Sequence, residues 1–306
     1  MKKFAFILFI CLWAATVSMA QKTMPLTYNL PVGHSFTLTQ VSKMGVMQNI
    51  SGMELETLQT TEGTNTLKVV ESNNDAIKFE VAHTSFKRSI QTMHMNQTTD
   101  AANPQDAHSK FLAALLGKTF FMSIDKYGKI MSTEGLEKAV EAAKVSMGDL
   151  SPADAAAAEQ TAVAMGNAEI FTKNMQAVFL IYSKDKVGKN SEWSYVTESA
   201  EPLSLAQQHN IKVLKLGKKG GVFTAYIDMS PTTTSDYVLG TGNLEVKNEV
   251  AGKNICSIIT QKNGLLSSMT SNANLSGTIS IKANAQIPQD MVIPCSYTIS
   301  NTFSVK

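Results

Sequence analysis

Methionine and histidine stand together at Met93-His94-Met95, inside the stretch QTMHMNQ, in a chain that carries 16 methionines. Thioether sulfur is a soft ligand that favours Cu(I), and imidazole is a frequent partner for it. Met93, His94 and Met95, with Met44 and Met47 from the same N-terminal third, are therefore the residues that could compose a copper site. Strand geometry opposes that reading. In an extended segment Met93 and Met95 leave one face and His94 the other, so the three meet on one ion only around a bulge. Methionine also fills irregular cores and adaptable pockets. The stronger expectation is that no metal or cofactor is held, and that Met93 and Met95 face inward as apolar lining.

Other reactive residues form no pattern. His34, His83, His94, His108 and His209 are scattered, with no pair at the i, i+2 or i, i+4 spacing that sets two imidazoles on one face. The Gly-x-Ser-x-Gly elbow, His-Glu-x-x-His, Cys-x-x-Cys and the phosphate-binding glycine loop are missing from the sequence. Glu54 and Glu56 share a face, but their alternation with Met53, Leu55 and Thr57 marks the wet side of a strand. A non-enzymatic protein is expected.

The first twenty residues, MKKFAFILFICLWAATVSMA, run from Lys2 and Lys3 through an apolar stretch to Ser18-Met19-Ala20. That order reads as a secretory signal peptide cleaved between Ala20 and Gln21. Its apolar run is short of the roughly 20 residues that span a bilayer, and no second such run follows, so no transmembrane helix is expected after cleavage. The expected product is soluble and extracytoplasmic, either periplasmic or secreted. Cleavage would remove two lysines and no acids, leaving 25 basic against 25 acidic residues. A neutral chain lacks the cationic excess of a nucleic-acid binder or a polybasic membrane-surface protein.

Beyond Cys11 in the signal, the chain has Cys256 and Cys295. In an oxidising compartment they could form a disulfide, whose loop would contribute about 4 kcal/mol in the chain-entropy picture. Two separate buried thiols are the alternative.

Elements follow from periodicity. From Ser35 to Met95 apolar residues alternate with polar ones, as in Ile77, Phe79 and Val81, and predict an antiparallel meander. Its turns are expected at Ser51-Gly52, at TEGTN (61–65) and at SNND (72–75). A helix is expected over AHSKFLAALLGK, then a hairpin turning at Asp125 to Gly128, then a helix from Leu136. The strongest helix begins at Ser151-Pro152 and extends to Tyr182, with a break at Gly166-Asn167. Period two then returns to the end of the chain, with hairpin turns at Lys218 to Gly221 and at Lys262 to Gly264. Strands, then helices, then strands predict an α+β fold. Expected is one domain over 21–306: a first sheet half at 21–101, a mainly helical insert at 102–182 and a second sheet half at 183–306. The sheet should be large, curved and half-barrel-like, with the insert packed on its concave face.

The stretches LPVGHSFTLTQVSKMGVMQNI, FKRSIQTMHM, KTFFMSIDKYGKIMSTEGLEKAVEAA, then Trp193, then AGKNICSIITQKNGLLSSMTSNANLSGTISI carry a resemblance. The chain resembles the exported, β-rich proteins, found mainly in Bacteroidota, that are grouped as domain of unknown function 6263. Its late hairpin departs from the pattern, reading Thr260-Gln261-Lys262-Asn263-Gly264 where an aspartate-led turn is expected. The resemblance implies a fold and a compartment and no chemistry.

Two roles compete. The first is an envelope binding module that holds an apolar or amphiphilic small molecule between sheet and helices, with Met93, Met95, Phe111, Leu115, Phe171 and Phe179 as pocket lining. The second is a structural component of the envelope whose partner is another envelope protein. Whether the space between sheet and helices is hollow separates them.

Overall fold

A computed structural model describes residues 23–199, 203–232, 236–239, 244–283 and 287–306. The signal segment, with Cys11 and the cleavage point at Ala20 and Gln21, lies outside the described residues. Among the described residues no helix is long and apolar enough to cross a membrane.

Three long strands open the fold: β1 (Ser35–Ile50), β2 (Met53–Ser72) and β3 (Ala76–Thr92). The β1–β2 turn is at Ser51-Gly52, both at positive φ, which suits the right-handed twist of a tight hairpin. Asn73 closes the β2–β3 turn through Oδ1, which accepts from the amides of Asp75 and Ala76, each at 2.9 Å. No turn forms at TEGTN. β2 continues through it, because the threonines suit a strand and Gly63 needs no turn to be accommodated. A register shift beside it, at Thr64/Asn65, leaves an extra residue on β3 and bends the ladder.

Short strand β4 (Asn96–Asp100) returns along β3. Then follow α1 (Ala107–Leu115), the hairpin β5 (Thr119–Asp125) and β6 (Ile130–Glu134), α2 (Leu136–Ser146), α3 (Pro152–Gly166) and α4 (Ala168–Gln176). Asp106 caps α1, Ser151 caps α3 and Asn167 caps α4, each by accepting a first-turn amide. The break at Gly166-Asn167 is therefore a true restart. The helix does not reach Tyr182; it ends at Gln176, and 177–191 runs on as an irregular strap.

The second half holds β7 (Glu192–Glu198), β8 (Leu205–Gly217), β9 (Gly220–Pro231), β10 (Asp236–Leu239), β11 (Leu244–Thr260), β12 (Leu266–Ile281) and β13 (Met291–Val305). β11 runs unbroken through Ala251-Gly252. Gly252 makes this continuity possible, since a Cβ there would meet the Asn274 carbonyl oxygen of β12 at 2.1 Å.

The thirteen strands among the described residues form one antiparallel sheet in the order β6-β5-β3-β2-β1-β13-β12-β11-β9-β8-β7, with β4 beside β3 and β10 beside β11. The first and last long strands, β1 and β13, pair at its centre. One core serves both halves, from Phe79 and Phe120 to Phe223 and Leu275. The N-terminal segment stitches its base: Tyr28 donates its amide to Lys126 O in the β5–β6 turn, and Asn29 donates to Asn263 O in the β11–β12 turn. Tyr28 Oη reaches Leu180 O at 3.2 Å, and Tyr182 Oη reaches Gly264 O at 2.7 Å, so the strap is held at the same place.

Helices divide into two groups. α1, α2 and α3 bury Phe111, Leu115, Val140 and several alanines against one another in a second cluster. α4 instead joins the two outer strands. Thr172 meets Thr133 of β6 at 2.9 Å, Gln176 Oε1 accepts from the Ile130 amide at 2.9 Å, and Lys173 pairs with Glu198 of β7 at 3.2 Å. One short helix thus covers edges that would otherwise present unpaired backbone.

The thiols of Cys256 and Cys295 are both buried and free. Cys256 lies opposite Ser271 and Cys295 opposite Gly277, six residues along β12, or about 20 Å at strand rise. That span is far beyond disulfide reach, so the pairing considered from sequence does not form within the chain.

Candidate functional site

Above the shared core the inner face of the sheet changes character. One cross-strand row reads Arg88, Thr61, Ser42, Asn301, Ser271, Cys256 on β3, β2, β1, β13, β12 and β11. Directly opposed residues share a face, so these polar groups form a belt. Asn301 Nδ2 donates to Ser271 Oγ at 3.2 Å. Arg88 Nη2 donates to Gln59 Oε1 at 3.1 Å, and Gln59 Nε2 donates on to Thr61 at 3.3 Å.

The belt borders a cavity of about 330 Å³ between the sheet and α4 with its strap. Its apolar wall includes Met44, Ile227, Met269, Ile299 and Leu180, and its polar groups include Gln40, Ser42, Asn301 and His209. This is near the lower end of the size range for small-molecule sites, and a mostly apolar wall with a few placed polar groups is their usual make-up. Lys173, at the rim, bonds Glu169 at 2.8 Å and Glu198 at 3.2 Å. The hydrogen bond that Lys173 donates to Glu169 raises the Lys173 pKa, so the rim cation is paired.

His209 stacks on Tyr195 at 4.5 Å between ring centroids, with Nε2 2.8 Å from Thr197 Oγ1. Burial lowers its pKa to about 4, so the ring is neutral at pH 7. Among the described residues no carboxylate bonds to this imidazole, and a base of pKa about 4 gives little activation to a threonine hydroxyl. The pair offers hydrogen bonds. Burial also pushes the nearby Cys256 thiol up to about 12, far from the thiolate that a nucleophile requires.

His83 is a second, half-buried imidazole. Its Nδ1 is 2.7 Å from Asn65 Oδ1, its ring lies against Phe120 and Phe171, and its Nε2 has no partner. Desolvation draws its pKa down to about 4 as well. Both histidines bind fewer protons folded than unfolded between about pH 6.5 and pH 4, so stability falls as pH drops through that window. Urea unfolding should show a lower midpoint at pH 4.5 than at pH 7, with a combined loss of a few kcal/mol; an unchanged midpoint contradicts the account.

Residues expected to form the site lie elsewhere. Met93, His94 and Met95 are the turn between β3 and β4, where Thr92 Oγ1 accepts from the amides of His94 and Met95. Met93 is 72% exposed and Met95 47% exposed, so neither lines a pocket. Met47 points to the outer face, opposite in parity to Met44, which does reach the cavity. The five copper candidates therefore do not converge. Among the described residues no group of three or more His, Cys, Asp or Glu could hold a metal ion. Phe111 and Leu115 belong to the separate helical cluster. Phe171 packs on Phe120 and His83, and Phe179 packs on Tyr28 and Phe79, so both close the core instead of lining the cavity.

Sequence reasoning missed Arg88. The signal was present in composition: among 27 basic residues Arg88 is the sole arginine.

A model of the family of unknown function DUF6263 matches residues 73–287. The chain belongs to this family. No curated protein matches it. Among solved structures, lipovitellin, studied for its lipid–protein interactions, superposes on this DUF6263 member with a TM-score of 0.50 at 10% identity, covering 91% of this chain and 25% of its own. The DUF6263 chain thus spans about a quarter of the lipovitellin chain, and at that identity the likeness is one of fold. An outer membrane channel from Pseudomonas putida F1 aligns over 90% of this chain and 97% of its own, at 9% identity and a TM-score of 0.22.

Proposed function

We propose that this DUF6263 protein is a non-catalytic binding module of the cell envelope that holds an apolar or amphiphilic small molecule on the concave side of its sheet, beneath α4. The observation that carries the reading is the cavity of about 330 Å³, apolar along Met44, Ile227, Met269 and Ile299 and edged by Ser42, Asn301 and Ser271 of the polar belt. A pure scaffold gains nothing from an unfilled space, because missing contacts cost stability. The sheet likeness to lipovitellin, a protein studied for lipid–protein interactions, is in keeping with this use. Extracytoplasmic placement fits the signal-like N-terminus and the neutral charge balance.

Native mass spectrometry of the protein purified from its own host tests the reading. The expected result is a co-purifying adduct of small-molecule mass that is released on denaturation. A bare polypeptide mass from host material counts against it.

A further inference from the structure

Arg88 stands at the junction of two spaces. On one side, its guanidinium donates to Gln59, whose side chain lines the sheet cavity. On the other, Arg88 lines a cleft of about 360 Å³ between β3–β4 and helices α1 and α3, with Gln97, Thr99, His108, Gln160 and Thr161. None of these neighbours is acidic, and among the described residues Arg88 forms no ion pair. Lysines, by contrast, supply the cation in all nine ion pairs found among the described residues. The chain thus uses lysine 26 times and arginine once, at a solvent-exposed position on the wall of the cleft, where the guanidinium bonds Gln59 and most of its five donors are uncommitted. A planar fork that stays charged is what two-pronged recognition of a carboxylate or phosphate requires, and lysine does not supply it.

We propose that Arg88 anchors the anionic head, a carboxylate or phosphate, of an amphiphile whose apolar part lies in the sheet cavity. The inference rests on the reading of that cavity as a ligand site and adds the chemical class of the ligand. Gln59 fixes the guanidinium at the cavity wall, and the polar belt from Thr61 to Ser271 solvates the head-to-tail junction. The neighbouring cleft leaves room for the head group and its water.

The test is displacement of the neutral fluorophore N-phenyl-1-naphthylamine from the full chain by decanoate, decyl phosphate, 1-decanol and inorganic phosphate. Decanoate and decyl phosphate should displace it at concentrations roughly 10- to 100-fold lower than 1-decanol, the factor that a charge-assisted hydrogen bond supplies. Arg88→Gln should erase that preference, so that decanoate and decyl phosphate displace the fluorophore no better than 1-decanol does, and Arg88→Lys should restore part of it. Fluorophore binding with no preference for the anionic chains, or a preference that survives Arg88→Gln, overturns the anchor and leaves the cavity reading standing. Failure of the fluorophore to bind the wild-type chain removes both. Displacement by inorganic phosphate as effective as that by decyl phosphate would make the ligand a free anion and overturn the amphiphile.

Discussion

Phe79→Ala should lower folding stability by about 3–5 kcal/mol, the range for truncating a fully buried aromatic ring. Phe79 has no exposed surface, and its ring meets Phe36 edge-on at 5.9 Å and Phe179 at 5.9 Å. Phe179 in turn touches Tyr28 at 5.8 Å, and Tyr28 touches Tyr182 at 5.3 Å. The ring therefore sits where the sheet, the N-terminal segment and the strap beyond α4 come together. Backbone bonds from Tyr28 and Tyr182 into the β5–β6 turn hold that junction, so its surroundings cannot collapse freely into the space left behind. Urea unfolding of Phe79→Ala against Phe121→Ala, on the opposite face of the sheet, makes the comparison. A loss at Phe79 no larger than at Phe121 contradicts the assigned core.

Much of the fold could be read from local chemistry. The Ser51-Gly52, Asn73 and Asp125 turns form as expected, because each depends on residues within a few positions. The same holds for the Ser151 start and the break at Gly166-Asn167. Failures came where a distant partner decides. Gly63 looks like a turn glycine in isolation, yet long ladders on both sides carry β2 straight through it, as they carry β11 through Gly252. The β1–β13 pairing joins residues about 250 or more positions apart, and no local pattern announces it.

The site was less legible for a related reason. On β1 the inner face runs Leu38, Gln40, Ser42, Met44, so the alternation that marks the core at Leu38 turns polar at the cavity. By pattern alone Gln40 and Ser42 look solvated. Met93 and Met95 carried the opposite error: apolar side chains at alternating positions suggest an inward face, but Thr92 closes a turn there and leaves both exposed. Only Met44 among the methionine candidates reaches the cavity, where parity along β1 places it.

Blocking the cavity from a core residue that lines it is the second large expected effect. Ala273 lies on β12 between Ile299 and Asn254 in register, and its methyl group faces the open space. An indole there fills volume that is empty, so overpacking strain should be small. Competition for the same space should weaken an apolar probe at least tenfold, about 1.4 kcal/mol.

Titration of N-phenyl-1-naphthylamine into the wild-type protein and Ala273→Trp is the direct measurement. The account predicts saturable fluorescence enhancement in the wild type and its loss in Ala273→Trp at an unchanged thermal midpoint. No saturable binding to the wild type, or equal binding by both proteins, would contradict the cavity as the ligand site.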